Sequence, residues 1–178
     1  MEREDFSNTL VEIFRIRGCI LGKVDLQKTV YLAKRMGAPV PFGFRWNVLG
    51  PYSYDLAHYC DHLTAEGLLV YNGRYCIDEE KTRTCASHLA PQIVGRFTDF
   101  FAKVERICGL KGYDMVVFME CTSSLDFIWL NIDEKERKRL NVFRLLDELK
   151  PEKVEKFRRM RDDALNLLLE EDLIQTTV

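Results

Sequence analysis

The feature that most restricts the fold is a ten-residue stretch from Leu68 to Ile77. Two short β-rich runs, Leu68-Leu69-Val70-Tyr71 and Arg74-Tyr75-Cys76-Ile77, flank Asn72-Gly73. Asn-Gly readily supplies the two positive-φ positions of a tight turn, so the stretch predicts a β-hairpin. Most of what precedes it reads as helix or loop. Phe6, Leu10, Ile13 and Phe14 fall on one face of a helix over 3–17, with Gly18 as its stop. Asp25 stands where an N-cap would sit for a second helix running to Met36, with Leu26, Val30 and Ala33 on one side.

Residues 37–52 then hold three glycines and three prolines, which forbid a continuous helix. Within them Phe42, Phe44 and Trp46 alternate with Gly43 and Arg45, a period-2 pattern that predicts a short strand. A third helix opens at Gly50-Pro51-Tyr52-Ser53, with Ser53 as N-cap, and stops at Gly67. Leu56, Tyr59, Cys60 and Leu63 form its inner stripe.

Helix, helix, loop, helix, hairpin is the order of a winged helix-turn-helix, expected here over 1–80. After a charged connector at 78–90 the pattern turns wholly helical. The segments are 91–110, a mostly apolar run at 113–130, 134–149, and a last helix opened by Pro151. Leu140, Phe143, Leu146 and Leu149 form the expected inner face of 134–149. The predicted fold class is therefore mainly α: a winged helix-turn-helix with one small β-hairpin (1–80) packed on a C-terminal helical bundle (90–178), with the buried run 113–130 as the joint.

Three pieces of the first half also carry a resemblance. Leu26-Gln27-Lys28-x-Val30-Tyr31-Leu32, Gly50-Pro51-Tyr52-Ser53-x-Asp55-Leu56 and Leu63-x-x-x-Gly67-Leu68 are similar to the YwgA-like family and, more distantly, to the phage-associated Panacea-domain antitoxins. They span about a quarter of the chain. The resemblance implies a winged-helix-like module, and it brings no catalytic motif with it.

Charge decides what such a module would grip. A helix that reads DNA carries or adjoins Lys and Arg. Residues 51–67 contain Asp55, Asp61 and Glu66 and no Lys or Arg at all, and the chain as a whole has a formal net charge of −2. The basic clusters Lys135-x-Arg137-Lys138-Arg139 and Arg158-Arg159-x-Arg161 are interleaved with Glu134, Glu136, Asp162 and Asp163, the pattern of solvated helix faces laced with short-range ion pairs. Aromatic residues point the same way. Nine of the residues from 31 to 75 are aromatic, crowded into the Gly/Pro loop and the hairpin. Tyr and Trp dominate the anchors of protein interfaces.

The function expected is a non-enzymatic, antitoxin-like regulatory or adaptor module. Its partner-binding residues would be Phe44, Arg45, Trp46, Tyr52, Tyr54, Asp55, His58 and His62, engaging a protein partner or a second copy of the chain. The alternative is a winged-helix transcription regulator that contacts DNA through Lys23, Lys28, Lys34 and Arg35, helped by the basic clusters of the C-terminal helices.

Other chemistries find little support. His58 and His62 are i, i+4 on one helical face, a spacing that can chelate a metal, but no second ligand pair of suitable spacing exists, so no metal and no cofactor is expected. Neither a Gly-x-Ser-x-Gly element, a phosphate-cradling glycine loop nor a Cys-His signature appears. No apolar run is long enough to cross a bilayer. The charged opening residues predict no secretory signal, so a cytoplasmic setting is expected, with all six cysteines reduced.

Overall fold

The computed structural model describes residues 3–85 and 89–175. In chain order the elements are α1 (Arg3–Arg17), α2 (Gly22–Arg35), β1 (Arg45–Asn47), β2 (Gly50–Tyr52), α3 (Tyr54–Ala65), β3 (Leu69–Tyr71), β4 (Tyr75–Ile77), α4 (Pro91–Lys111), α5 (Met115–Asn131), α6 (Arg139–Leu149) and α7 (Val154–Glu170). Short 3₁₀ turns at Glu134–Glu136 and Pro151–Lys153 precede α6 and α7. The chain is mainly helical, with small two-stranded antiparallel pairings.

It divides into two compact units. One comprises Met1–Arg45 and Tyr52–Ala102, the other Trp46–Pro51 and Lys103–Val178. The division falls inside α4, not in the 78–90 connector where the sequence suggested a boundary.

In the first unit α1, α2, α3 and the β3–β4 hairpin enclose a core of Phe6, Leu10, Ile13, Phe14, Leu26, Val30, Leu56, Cys60, Leu63 and Leu69. Each large apolar side chain so buried contributes about 1.5–3 kcal/mol relative to exposure. The inner stripe expected for α3 is largely the observed one, with Tyr59 half-buried beside it.

Several local expectations need correction. α2 starts four residues early, at Gly22, and Leu21 occupies the N-cap. Asp25 is fully buried within the first turn, where its Oδ2 accepts from the Leu21 amide at 2.9 Å and from Arg17 at 3.3 Å. It serves the helix start by reaching back, not by standing in front. The hairpin pairs Leu69 with Ile77, Val70 with Cys76 and Tyr71 with Tyr75, which leaves Asn72-Gly73-Arg74 as a three-residue connection. Of these only Gly73 has a positive φ, so the two-residue turn suggested by Asn-Gly is not formed. In the Gly/Pro segment the alternating aromatics yield a strand only at Arg45–Asn47.

The cysteines depart furthest from expectation. Cys19 and Cys76 form a disulfide across 57 residues of sequence, while Cys60, Cys85, Cys108 and Cys121 are not disulfide-bonded. The pairing is invisible in one dimension because no short spacing announces it. It arises because Ile20, between α1 and α2, exchanges two backbone hydrogen bonds of 2.8 Å with Tyr75 and so draws its neighbour Cys19 to Cys76.

In the second unit α5 is the central rod, packed by α6 and α7. Asp114 caps it, accepting from the Val117 amide at 3.0 Å. Phe118, Met119, Cys121, Leu125 and Ile128 are buried, as are Phe157, Met160, Ala164, Leu165 and Leu168 of α7. The polar centre of α5 is buried too. Thr122 and Ser123 turn their hydroxyls back onto the carbonyls of Phe118 and Glu120, which satisfies them within the helix. The expected inner face of the 134–149 segment is half right. Phe143 and Leu146 are buried, but Leu140 is 80% and Leu149 44% exposed. Because α6 starts only at Arg139, its buried stripe runs instead through Val142, Phe143 and Leu146.

Candidate functional site

The surface of α3 begins with a buried clamp. Gln27 of α2 and the backbone of Ser53 bond to one another twice. The Ser53 N–H donates to Gln27 Oε1 at 2.8 Å, and Gln27 Nε2 donates to the Ser53 carbonyl at 2.9 Å. Both residues are at most 2% exposed. The Ser53 side chain in turn accepts from the Leu56 amide at 3.3 Å and caps α3. Gly50 supplies a φ of +82° just upstream. Thus the Leu26-Gln27-Lys28 and Gly50-Pro51-Tyr52-Ser53 elements, 26 residues apart, meet physically: one half of the pattern holds the other in place.

So fixed, α3 points a polar and aromatic face to solvent. Tyr54 is 66% exposed, and Asp55, His58, Asp61, His62 and Glu66 are all exposed. Tyr54 rests edge-on against half-buried Tyr52, ring centroids 5.0 Å apart. At the hairpin the ring of Tyr71, half exposed, lies tilted against that of buried Tyr75, centroids 4.5 Å apart. Burial, followed by the charge of Asp61, pushes the Tyr75 hydroxyl up to about 12. The same two causes raise the Cys60 thiol to about 12, so it stays protonated and unreactive. A loose ion pair, Lys23–Asp61 at 3.8 Å, and a His62 Nε2–Glu66 contact at 3.1 Å lie on the face, each with both partners about half exposed. Such pairs contribute little to stability, roughly 0–1 kcal/mol.

The eight residues singled out from sequence do not all join this face. Tyr54, Asp55, His58 and His62 present it, and Tyr52 supports it. Arg45 is exposed. Phe44 is half-buried, edge-on to the Tyr31 ring at 5.2 Å. Trp46 belongs to the other unit, where its ring lies 5.9 Å from Phe127 and 5.6 Å from the Lys150 ammonium. Phe44 and Trp46 are thus engaged by their own units. Tyr71 was the omission, and its place at the end of a predicted hairpin strand was the available signal.

Of the four cations named for the DNA alternative, three have burial or partners of their own, and Arg35 is half-buried at the end of α2. Lys28 is fully buried, Lys23 pairs with Asp61, and Lys34 Nζ donates to the Phe42 carbonyl at 2.6 Å. In the second unit Arg158 and Arg161 both grip Asp147, and Arg139 holds Asp162 at 2.6 Å. An open groove of about 570 Å³ between α6 and α7 is lined by Leu140, Phe143, Arg144, Asp147, Arg158 and Arg161, of mixed sign. Among the described residues no group of three or more His, Cys, Asp or Glu is placed to hold a metal ion, and no helix is long and apolar enough to cross a membrane.

Comparison with family models, curated proteins and solved structures returns no match for this chain.

A second constellation had no counterpart in the sequence reading. Lys150 is fully buried in the second unit and donates to Glu120 Oε1 at 2.8 Å and to the Val48 carbonyl, with Lys153 on the other Glu120 oxygen at 3.2 Å. The one hint was Glu120 itself, one of two carboxylates within an otherwise apolar helix. The pair fastens the 46–51 segment into its unit. Its donors and acceptors are used internally, so it offers a ligand nothing.

Proposed function

We propose that this chain is a non-enzymatic adaptor or regulatory module of winged-helix type, antitoxin-like, which binds a basic polypeptide through the exposed face of α3 and the tip of the β3–β4 hairpin. The observation that carries the reading is the sign of α3. It displays Tyr54, Asp55, His58, Asp61 and His62 to solvent and bears no Lys or Arg. In a winged helix the third helix is the one that enters the DNA major groove, and phosphates repel an acidic probe. Aromatic anchors ringed by carboxylates suit a partner with Lys and Arg around an apolar centre. The carboxylates would steer the encounter and the tyrosines would hold it.

Two features support the winged-helix part. The element order is the one expected. Ile20, between α1 and α2, pairs with β4 and so adds a third extended segment beside the hairpin. The resemblance to the YwgA-like family points to the same module. A second copy of the chain is a simpler partner of the same kind, since Lys23 lies at the edge of the acidic face.

The test is fluorescence anisotropy with a labelled Lys/Arg-rich peptide and, in parallel, a generic duplex DNA. The peptide should bind, more weakly as salt rises, and Tyr54→Ala and Asp55→Lys should each reduce binding by about tenfold or more. Binding of the duplex with a steep salt dependence, insensitive to those substitutions, would select the DNA-regulator alternative.

A further inference from the structure

The Cys19–Cys76 disulfide sits where opening it would be felt. We propose that this pair is a reversible thiol–disulfide switch that sets how firmly the β3–β4 hairpin is held.

Ile20 and Tyr75 exchange both of their backbone hydrogen bonds, and the cysteines flank this pair with Cα atoms 4.6 Å apart. That is the close spacing of a non-hydrogen-bonded antiparallel pair, so the fold presents the two sulfurs to one another whether or not they are bonded. Cys19 is exposed and Cys76 half-buried, so an external thiol can reach the bond. The short connector that carries Cys19 runs from Gly18 to Gly22, both with positive φ. With the covalent link gone, the two hydrogen bonds at Ile20 and the burial of Ile20 and Tyr75 still tie the connector to β4.

The other cysteines make the chemistry selective. Cys60, Cys108 and Cys121 are buried, and burial raises the thiols of Cys60 and Cys121 far from the reactive range. Only Cys85, of intermediate exposure, could compete. Exchange and oxidation therefore converge on the pair at the hairpin.

The reaction balances with a dithiol such as dithiothreitol. One reagent thiolate attacks the Cys19 sulfur and expels the Cys76 thiolate, which takes up a proton. The second reagent thiol then resolves the mixed disulfide, releasing Cys19 as a thiol. Two electrons and two protons pass to the protein, and the reagent leaves as its cyclic disulfide. Oxidised glutathione reverses the change and is itself converted to two glutathione thiols. A looser hairpin would carry Tyr71 away from a fixed place beside α3. That last consequence rests on the partner-binding reading above, but the switch itself does not.

The experiment uses the full chain carrying Cys85→Ser. Dithiothreitol is titrated under native conditions, thiols are trapped with N-ethylmaleimide, and amide hydrogen exchange is followed by NMR. Two adducts should appear, at Cys19 and Cys76, while the helical circular dichroism signal persists. The Ile20 and Tyr75 amides should exchange at least about tenfold faster, with those of α5 and α7 unchanged. Oxidised glutathione should restore the slow exchange. Cys19→Ser with Cys76→Ser should show the fast exchange without any reductant. A bond that opens only as the helical signal collapses is a permanent staple, and a bond that opens with no change at Ile20 and Tyr75 holds nothing; either result overturns the switch. Loss of peptide binding in both redox states would count against the adaptor reading alone.

Discussion

α3 and α5 treat their charged residues in opposite ways. α3 buries Leu56, Cys60 and Leu63 and gives every charge it has to water. α5 is apolar on most sides yet takes Glu120 and Asp126 into the interior. A carboxylate in water costs the fold almost nothing and is free to meet a partner. A carboxylate in a core must be compensated on the spot, because desolvating an ion costs several kcal/mol. Hence Glu120 has two ammonium groups on it, and one of them, Lys150, also holds a backbone carbonyl. The lesson is that charge count does not locate function. Charges with satisfied, buried partners belong to the architecture, and those left in water at a well-braced surface are available for binding.

The sharpest way to break this contrast is Lys150→Met. The substitution leaves Glu120 buried with only the half-exposed Lys153, and removes the donor to Val48. It should destabilise the chain by about 3–5 kcal/mol, read as a lowered midpoint in urea. Adding Glu120→Met should recover much of the loss, since the unpaired ion, not the missing bridge, carries most of the cost. If Lys150→Met behaves like a surface change, the buried-pair account of α5 fails.

Gln27→Ala comes next. It strands the N–H and C=O of Ser53, both buried, and loosens the start of α3 without touching any exposed residue. An unsatisfied buried polar group costs about 1–3 kcal/mol. Thermal unfolding should shift down accordingly, and α3 amides should exchange faster than those of α2. An unchanged stability would mean that water or a neighbour replaces the clamp, and that α3 is not braced as described.

These same residues mark how far the sequence could be read. Ser53 and the α3 stripe were legible because a cap and a 3.6-residue period are local signals. The hairpin was legible because turn chemistry is local too, although its connection came out one residue longer than Asn-Gly suggests. Lys150 was not. Between Leu149 and Pro151 it looks like any solvated lysine, and its partner Glu120 lies 30 residues away in sequence. The Cys19–Cys76 bond was illegible for the same reason, being created by the Ile20–Tyr75 pairing. At the candidate site the sequence located α3's acidic face. That Phe44 packs against Tyr31, and Trp46 near Phe127 and Lys150, was not legible, because period-2 alternation says which residues share a side but not which side is covered.

The smallest stability effect should come from the substitution with the largest proposed effect on binding. Asp55→Lys lies in the first turn of α3, where a negative charge favours the positive end of the helix dipole, so reversing it should cost about 0.3–1 kcal/mol. For a chain of this size that is a melting shift of roughly 1–4 °C. Asp55 is exposed and has no part in the Gln27–Ser53 clamp, so nothing larger is expected. Measured beside Lys150→Met, the pair of variants separates the two uses of charge. One should destabilise the protein while leaving the proposed basic-peptide site chemically intact. The other should keep the fold and lose the peptide. If Asp55→Lys instead lowers stability as much as Lys150→Met, the α3 face is part of the architecture, and the distinction drawn between the two helices does not hold.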